Sequence, residues 1–220
     1  MKRKTAFRLG LLMFLFVFAV CLIFYKRLPS ELPIHFDVNN QADSFASKEM
    51  ALFGVNGFML VLYLFCYFIT NKDPKVENQG DKALNVVLIF VPILAILTSA
   101  ITISYGLNYR PRIDLYLNLA LSIMFILIGN YLPKTKRNYT LGIKLPWTLA
   151  SDYVWEKTHR LAGYLWVIGG LVSFIGTILF KDHISYIFGG AIIIMVFIPM
   201  IYSYIIYEKI KKQADEDDDD

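Results

Sequence analysis

The chain has 220 residues, 56% of them hydrophobic and 15% aromatic, with a mean hydropathy of +0.50 and a formal charge of +4. An apolar share above the ~45–50% usual in water-soluble domains excludes an ordinary soluble fold. The basic residues are spread over several separate segments with no basic domain, which argues against direct binding of nucleic acid.

Six apolar runs occupy residues 7–25, 50–70, 83–106, 115–132, 161–180 and 184–207. Each is near the ~20 residues that carry a helix across a ~30 Å hydrocarbon layer. Lipid offers no partners to backbone amides, so the runs predict an all-α fold, a polytopic membrane bundle of six transmembrane helices. In chain order the expected units are residues 1–49 (first anchor and outer loop), 50–132 (spans two to four), 133–160 (inner loop with an interfacial helix), 161–207 (spans five and six) and 208–220 (an acidic tail).

The first run follows Lys2, Arg3, Lys4 and Arg8, a basic start shared with secretory signals. No small-x-small cleavage site follows it, so it is expected to stay as an anchor. Cys21 and Cys66 fall inside spans, where cysteine is usually a packing residue. With the N-terminus inside, 16 Lys and Arg lie on the inner side and 6 on the outer. Basic residues are retained in the cytoplasm, so both termini are expected there.

The outer segment after span one carries Pro33, Ile34, His35, Phe36 and Asp37, then Asp43, Phe45 and Lys48. Proline forces local extension. A hairpin-like cap over the helix ends is expected, with a His35–Asp37 polar contact and Phe36 and Phe45 on the membrane surface. Pro33, His35, Phe36 and Asp37 are the candidate outer ligand contacts.

Spans three and six contain Pro92 and Pro199, which can kink a helix. Gly169, Ser173 and Thr177 recur every four residues on span five, a small-residue stripe suited to close helix packing. The central portions of the spans lack Asp, Glu, Lys, Arg and His. Such residues normally mark proton or ion pathways, so a proton-coupled pump is not expected. The six spans divide into two groups of three, which by itself is a weak repeat signal.

No phosphate-binding loop, nucleophile elbow, paired catalytic carboxylates or zinc spacing is found. His35 and His183 are expected outside and His159 inside. The expectation is therefore no enzyme, no catalytic residue, no metal and no cofactor.

The densest pattern is the inner loop. Pro133 ends span four, Lys134, Lys136 and Arg137 follow, Gly142 permits a sharp turn, and Pro146 fixes the backbone before Trp147. Thr148, Ser151 or Asp152 can cap a new helix. On it Trp155 and His159 are four apart, as are Glu156 and Arg160, so each pair can touch. This helix is expected to feed span five, with Gly163 available as a bend.

Leu141-Gly142-Ile143-Lys144-Leu145-Pro146-Trp147-Thr148-Leu149, with Val154-Trp155 and Thr158-His159-Arg160, resembles the signature of the SdpI family of bacterial membrane proteins, named for immunity to a secreted sporulation-delay toxin. Pro33-Ile34-His35-Phe36 resembles a short N-terminal domain often found in that family. Lys144-Leu145 stands where members often have Arg-Thr, keeping the basic position and losing a hydroxyl. The resemblance covers essentially the whole chain. It implies a polytopic immunity protein of the bacterial plasma membrane that protects its own cell from a secreted, membrane-active peptide toxin, and non-catalytic capture of that toxin is the mechanism expected here. Gly142, Ile143, Lys144, Pro146, Trp147, Thr148, Leu149, Trp155, His159 and Arg160 are then the family-motif or partner-binding residues. A competing implication is a toxin-sensing receptor that recruits a cytoplasmic repressor through a face made by Trp147, Trp155, His159 and Arg160. A third is a small-molecule or peptide exporter, against which the missing intramembrane charges count.

Overall fold

The computed structural model describes residues 2–37 and 39–218; Asp219 and Asp220, the end of the expected acidic tail, lie outside the described residues. The long helices are α1 (Arg3–Phe24), α2 (Val55–Asn71), α3 (Asp81–Gly106) and α4 (Ile113–Tyr131), then α6 (Asp152–Leu179) and α7 (Ile184–Asp218), with a short α5 (Pro146–Ala150) before α6. Six segments are long and apolar enough to cross a membrane. The chain is a multi-pass membrane protein whose α1, α2, α6 and α7 turn Leu12, Phe16, Phe65, Ile178 and Ile193 outward, where lipid takes the place of a core.

An even number of spans brings both termini to one face of the bundle. The α2–α3 and α4–α6 connections share that terminal face. The α1–α2 connection on the opposite face forms strands β1 (Glu31–Phe36) and β2 (Ala42–Ser47), paired antiparallel with Pro33 opposite Phe45 and His35 opposite Ser44. This small sheet is an addition to the otherwise helical fold. It arises because Asp37 Oδ1 accepts the N–H groups of Asn39 and Gln41, and Asn40 adopts φ 61°, which together close the turn.

The helices pack in two groups that meet along α3 and α4. In the first, rings fill the space: Phe14 and Tyr63 are buried, and Gly10 lies under the Tyr63 hydroxyl so closely that a Cβ there would fall 2.1 Å from it. In the second, small residues bring backbones together. A Cβ on Gly129 would lie 2.9 Å from the Val167 nitrogen, and one on Gly170 the same distance from the Ser122 carbonyl oxygen, so α4 and α6 need glycine to approach this closely. The expected stripe is buried at Ser173 and Thr177, and its Gly169 faces Met195 of α7. Gly163 is not a bend. α6 runs unbroken through it, and its missing Cβ makes room for Pro133 and the Gly129 carbonyl.

Candidate functional site

On the terminal face, the loop between α4 and α6 is held by buried polar groups. Asn138 is fully buried; its Oδ1 accepts the N–H groups of Thr140 and Leu141, and its Nδ2 donates to the Lys136 and Leu141 carbonyls. The chain then turns at Gly142 with φ +125°, open to glycine and strained for other residues. A Cβ at Gly142 would lie 2.4 Å from His159 Nε2 and 2.9 Å from the Trp155 ring.

Beneath that glycine, Trp155 and His159 stack with ring centroids 3.9 Å apart, as their spacing on one helix predicts. His159 bridges the loop to the helix. Its Nε2 accepts the Ile143 N–H at 2.9 Å, and its Nδ1–H donates to the Trp155 carbonyl at 2.8 Å. A backbone amide can only donate and a carbonyl can only accept, so this pattern selects the neutral ring protonated at Nδ1. Trp155 Nε1 in turn donates to the Thr135 carbonyl at 2.9 Å.

The rest of the motif continues the same construction. Pro146 opens α5, and the buried Thr148 hydroxyl accepts the Leu145 N–H while facing the Ile143 carbonyl at 2.8 Å. The Leu149 carbonyl accepts from Arg137, whose guanidinium also pairs with Asp152 at 2.7 Å. Lys144 reaches the Thr140 carbonyl from an exposed position. Trp147 Nε1 donates to Ser203 of α7 at 2.7 Å, and its ring meets Tyr204 edge-on. Ser151 is the residue that caps α6, through the Val154 N–H.

Asp73 and Gln79, in the α2–α3 connection, were not singled out by sequence, yet they tie that connection to the motif. Asp73 Oδ2 accepts from the Tyr139 N–H, the Thr140 hydroxyl and the Gln79 amide at 2.9, 2.7 and 3.1 Å. Burial would push the Asp73 carboxyl up, but these bonds and one from the Lys75 N–H outweigh it and hold the group below its ordinary value. Lys136 N–H to the Asn78 carbonyl and Asn78 Nδ2 to the Arg137 carbonyl add two more ties. An Asp-Pro pair followed by Gln and Gly is an ordinary turn signal, so nothing in the sequence linked it to a loop some 60 residues later.

The expected docking face is therefore corrected. Trp155 and His159 are 2% and 0% exposed and stabilise the loop from inside. Trp147 is half-buried, and of the four only Arg160 is exposed. Glu156 and Arg160 are both exposed, and no ion pair between them is present among the described residues.

On the opposite face, the hairpin covers a cavity of about 300 Å³ walled by Pro33, His35 and Phe36 of β1 together with α2, α3 and the start of α4. Its walls include a buried hydrogen-bonded pair, Asn56 Nδ2 to Ser99 Oγ at 2.9 Å, and Thr98 and Thr102. His35 pairs with Asp43 at 2.6 Å, not with Asp37, because strand pairing lays Ser44 beside it while Asp37 is engaged in the turn. The N–H bonds from Gln41 and Asn39 hold the Asp37 carboxyl below its ordinary value. Phe36 and Phe45 both meet Tyr105 at the end of α3 edge-on, so the hairpin is seated on the bundle. Among the described residues, no three His, Cys, Asp or Glu side chains form a metal-holding group.

The SdpI/YfhL protein family matches residues 134–203, and a domain of unknown function, DUF1648, matches residues 12–60. The chain is 30% identical over 198 residues to the Immunity protein SdpI of Bacillus subtilis (strain 168), covering 88% of this chain and 91% of that protein. No solved structure matches it.

Proposed function

This chain belongs to the SdpI family, and from that premise we propose that it is an integral membrane immunity protein, protecting its own cell from a secreted, membrane-active peptide by non-catalytic capture. The observation that carries this reading is the near full-length likeness to a protein named for immunity, spanning both the hairpin region and the terminal-face loop. Both termini face the cytoplasm, in keeping with the 16-to-6 distribution of basic residues, so the hairpin meets the peptide as it arrives from outside.

The cavity under the hairpin suits this role. At about 300 Å³ it lies at the lower end of ligand-pocket volumes, enough for one or two side chains of a peptide and too small for a whole helix. A peptide anchored there by an apolar side chain would be held against the bundle and kept from assembling in lipid. The terminal-face loop supports a second reading, recruitment of a soluble repressor. Exposed Lys144 and Arg160 are the residues such a partner could touch, whereas Trp155 and His159 act only by shaping the loop.

The test is survival of a sensitive bacterium expressing this chain under challenge with a sporulation-delay-type toxin, at matched membrane levels. The parent chain is expected to protect, Thr102→Phe to lose protection by filling the cavity, and Trp147→Ala and His159→Ala to lose it by loosening the loop. An unprotected host expressing the parent would sink the immunity reading for that toxin class. Protection by Thr102→Phe equal to the parent's would remove the cavity from the mechanism.

A further inference from the structure

The cavity beneath the hairpin has a floor, two walls and a roof but no fourth side. α3 forms the floor at Ser99 and Thr102, α2 one wall at Val55 and Met59, α4 the other at Ile113 and Leu117, and β1 the roof. Among the described residues, none from α1, α6 or α7 lines it. The gap between α2 and α4 therefore opens sideways. Val55 and Phe58 are exposed beside it on an apolar, membrane-spanning helix, so what lies outside the gap is lipid.

Depth makes that opening a membrane portal. α3 has 26 residues, ~39 Å at ~1.5 Å per residue, against a hydrocarbon layer of ~30 Å. Ser99 stands ~10 Å inside its hairpin end, so even with ~5 Å of helix among the headgroups it lies within the hydrocarbon. There it meets Asn56 of α2, and both are buried. Both Asn56 Nδ2 hydrogens are committed, to the Leu52 carbonyl at 2.7 Å and Ser99 Oγ at 2.9 Å, and the Ser99 hydroxyl donates to Asn56 Oδ1 at 3.2 Å. The pair has no donor left, while Asn56 Oδ1 keeps a lone pair. Leu52 belongs to a π-helical turn, Met50–Gly54, whose Ala51 also lines the cavity. Such turns occur frequently at functional sites.

We infer that this cavity is loaded from the lipid of the hairpin-side leaflet, through the gap between α2 and α4, and holds the Trp or Tyr side chain of a membrane-inserted peptide, whose N–H or O–H donates to Asn56. Lipid outside the gap selects a ligand already dissolved in the bilayer. The spare acceptor selects a group that donates, which an acyl chain lacks. Trp and Tyr combine a large apolar body with a donor at the tip. A volume of about 300 Å³ suits one such side chain, and Phe36 and the Met59 thioether offer its ring an edge and a sulfur contact. That the ligand is a peptide rests on the immunity reading; the portal and the acceptor do not.

The full chain in phosphatidylcholine nanodiscs is mixed with an uncharged Leu-Ala transmembrane peptide carrying one Trp at the depth of Ser99 and a diazirine beside it, and photoadducts are mapped by mass spectrometry. Adducts are expected at Val55, Met59 and Leu117. The same peptide methylated on the indole nitrogen, which leaves no donor, is expected to give about fivefold less, the worth of one net hydrogen bond. Asn56→Leu is expected to make the two peptides equal, and Ser99→Ala, which spares the acceptor, to keep the difference. Leu117→Trp, which plugs the gap, is expected to abolish adducts at Val55 and Met59. Equal yields from the two peptides in the parent, a difference that survives Asn56→Leu, adducts spread evenly over the lipid-facing helices, or undiminished adducts in Leu117→Trp would each overturn the proposal. Thermal unfolding of each variant separates loss of binding from loss of fold. These yields are read without toxin, so their failure leaves the survival test standing, and lost survival with the yields intact sinks the immunity reading alone.

Discussion

The loop that joins α4 to α6 and the hairpin that joins α1 to α2 cap opposite ends of the bundle and are built differently. The first buries Asp73, Gln79, Asn138, Thr148 and His159 in one hydrogen-bonded network. The second leaves His35, Asp43 and Phe45 largely exposed, seats two of its rings against Tyr105, and walls a cavity with Pro33, His35 and Phe36 of β1. A motif dense in Gly, Pro, Trp and His therefore marks, in this molecule, the place where the backbone is fixed. The sparser motif marks the place where a cavity is left open. Burying polar groups is costly unless they are paired, so the knot tolerates little change, while the exposed hairpin carries fewer such constraints.

That contrast can be broken most severely at Gly142. Gly142→Ala places a Cβ against the Trp155–His159 stack and forces an L side chain to φ +125°, a combination expected to cost about 3 kcal/mol or more. Thermal unfolding in detergent and the amount of folded protein in membranes are the measurements. A variant as stable as the parent would show that the loop is not held by this stack.

Asp73→Asn tests the network from its other side. Weakening charge-assisted bonds to Tyr139, Thr140 and Gln79 is expected to cost about 2 kcal/mol at neutral pH. Because the folded carboxyl is held below its ordinary value of 3.8, its ionised form adds stability above that pH, and the addition is lost as the pH falls through the lower folded value. The gap between parent and variant should stay constant from about pH 8 to pH 5 and close only in stronger acid, below about pH 4. Unfolding followed from pH 3 to pH 8 checks both the size and the window. A gap that closes near neutral pH would point to another group.

At the hairpin the expected effect on stability is smallest. His35 and Asp43 form an exposed pair, so His35→Gln or Asp43→Asn should shift stability by no more than about 0.5 kcal/mol. Survival under toxin challenge is expected to fall all the same, because His35 lines the cavity and Asp43 holds its ring. A stability loss as large as that at Asp73 would erase the distinction between the two faces, and unchanged survival would move the ligand contact away from the strands.

The six spans were legible because lipid imposes a requirement that each run meets on its own, without reference to the others: enough apolar length, and every backbone group paired within the helix. The Trp155–His159 contact was legible for the same reason, since helix geometry alone puts residues four apart on one face. The His35–Asp37 contact was misjudged because Asp37 lies just past the end of β1 and is engaged by the turn, and only the pairing of β1 with β2 brings Asp43 to His35. Gly163 was misjudged as a bend because its use depends on Pro133 of a different segment.

By itself, then, the sequence determined that this chain crosses a membrane as six helices and that the segment around Gly142 and Trp155 is built to a special local geometry. Only the tertiary structure decided that Trp155 and His159 face inward, that Asp73 anchors a loop some 60 residues away, and that the hairpin stands over a cavity. Each of these depends on which groups from distant segments come to share one hydrogen bond or one void, and spacing along a single chain does not encode that.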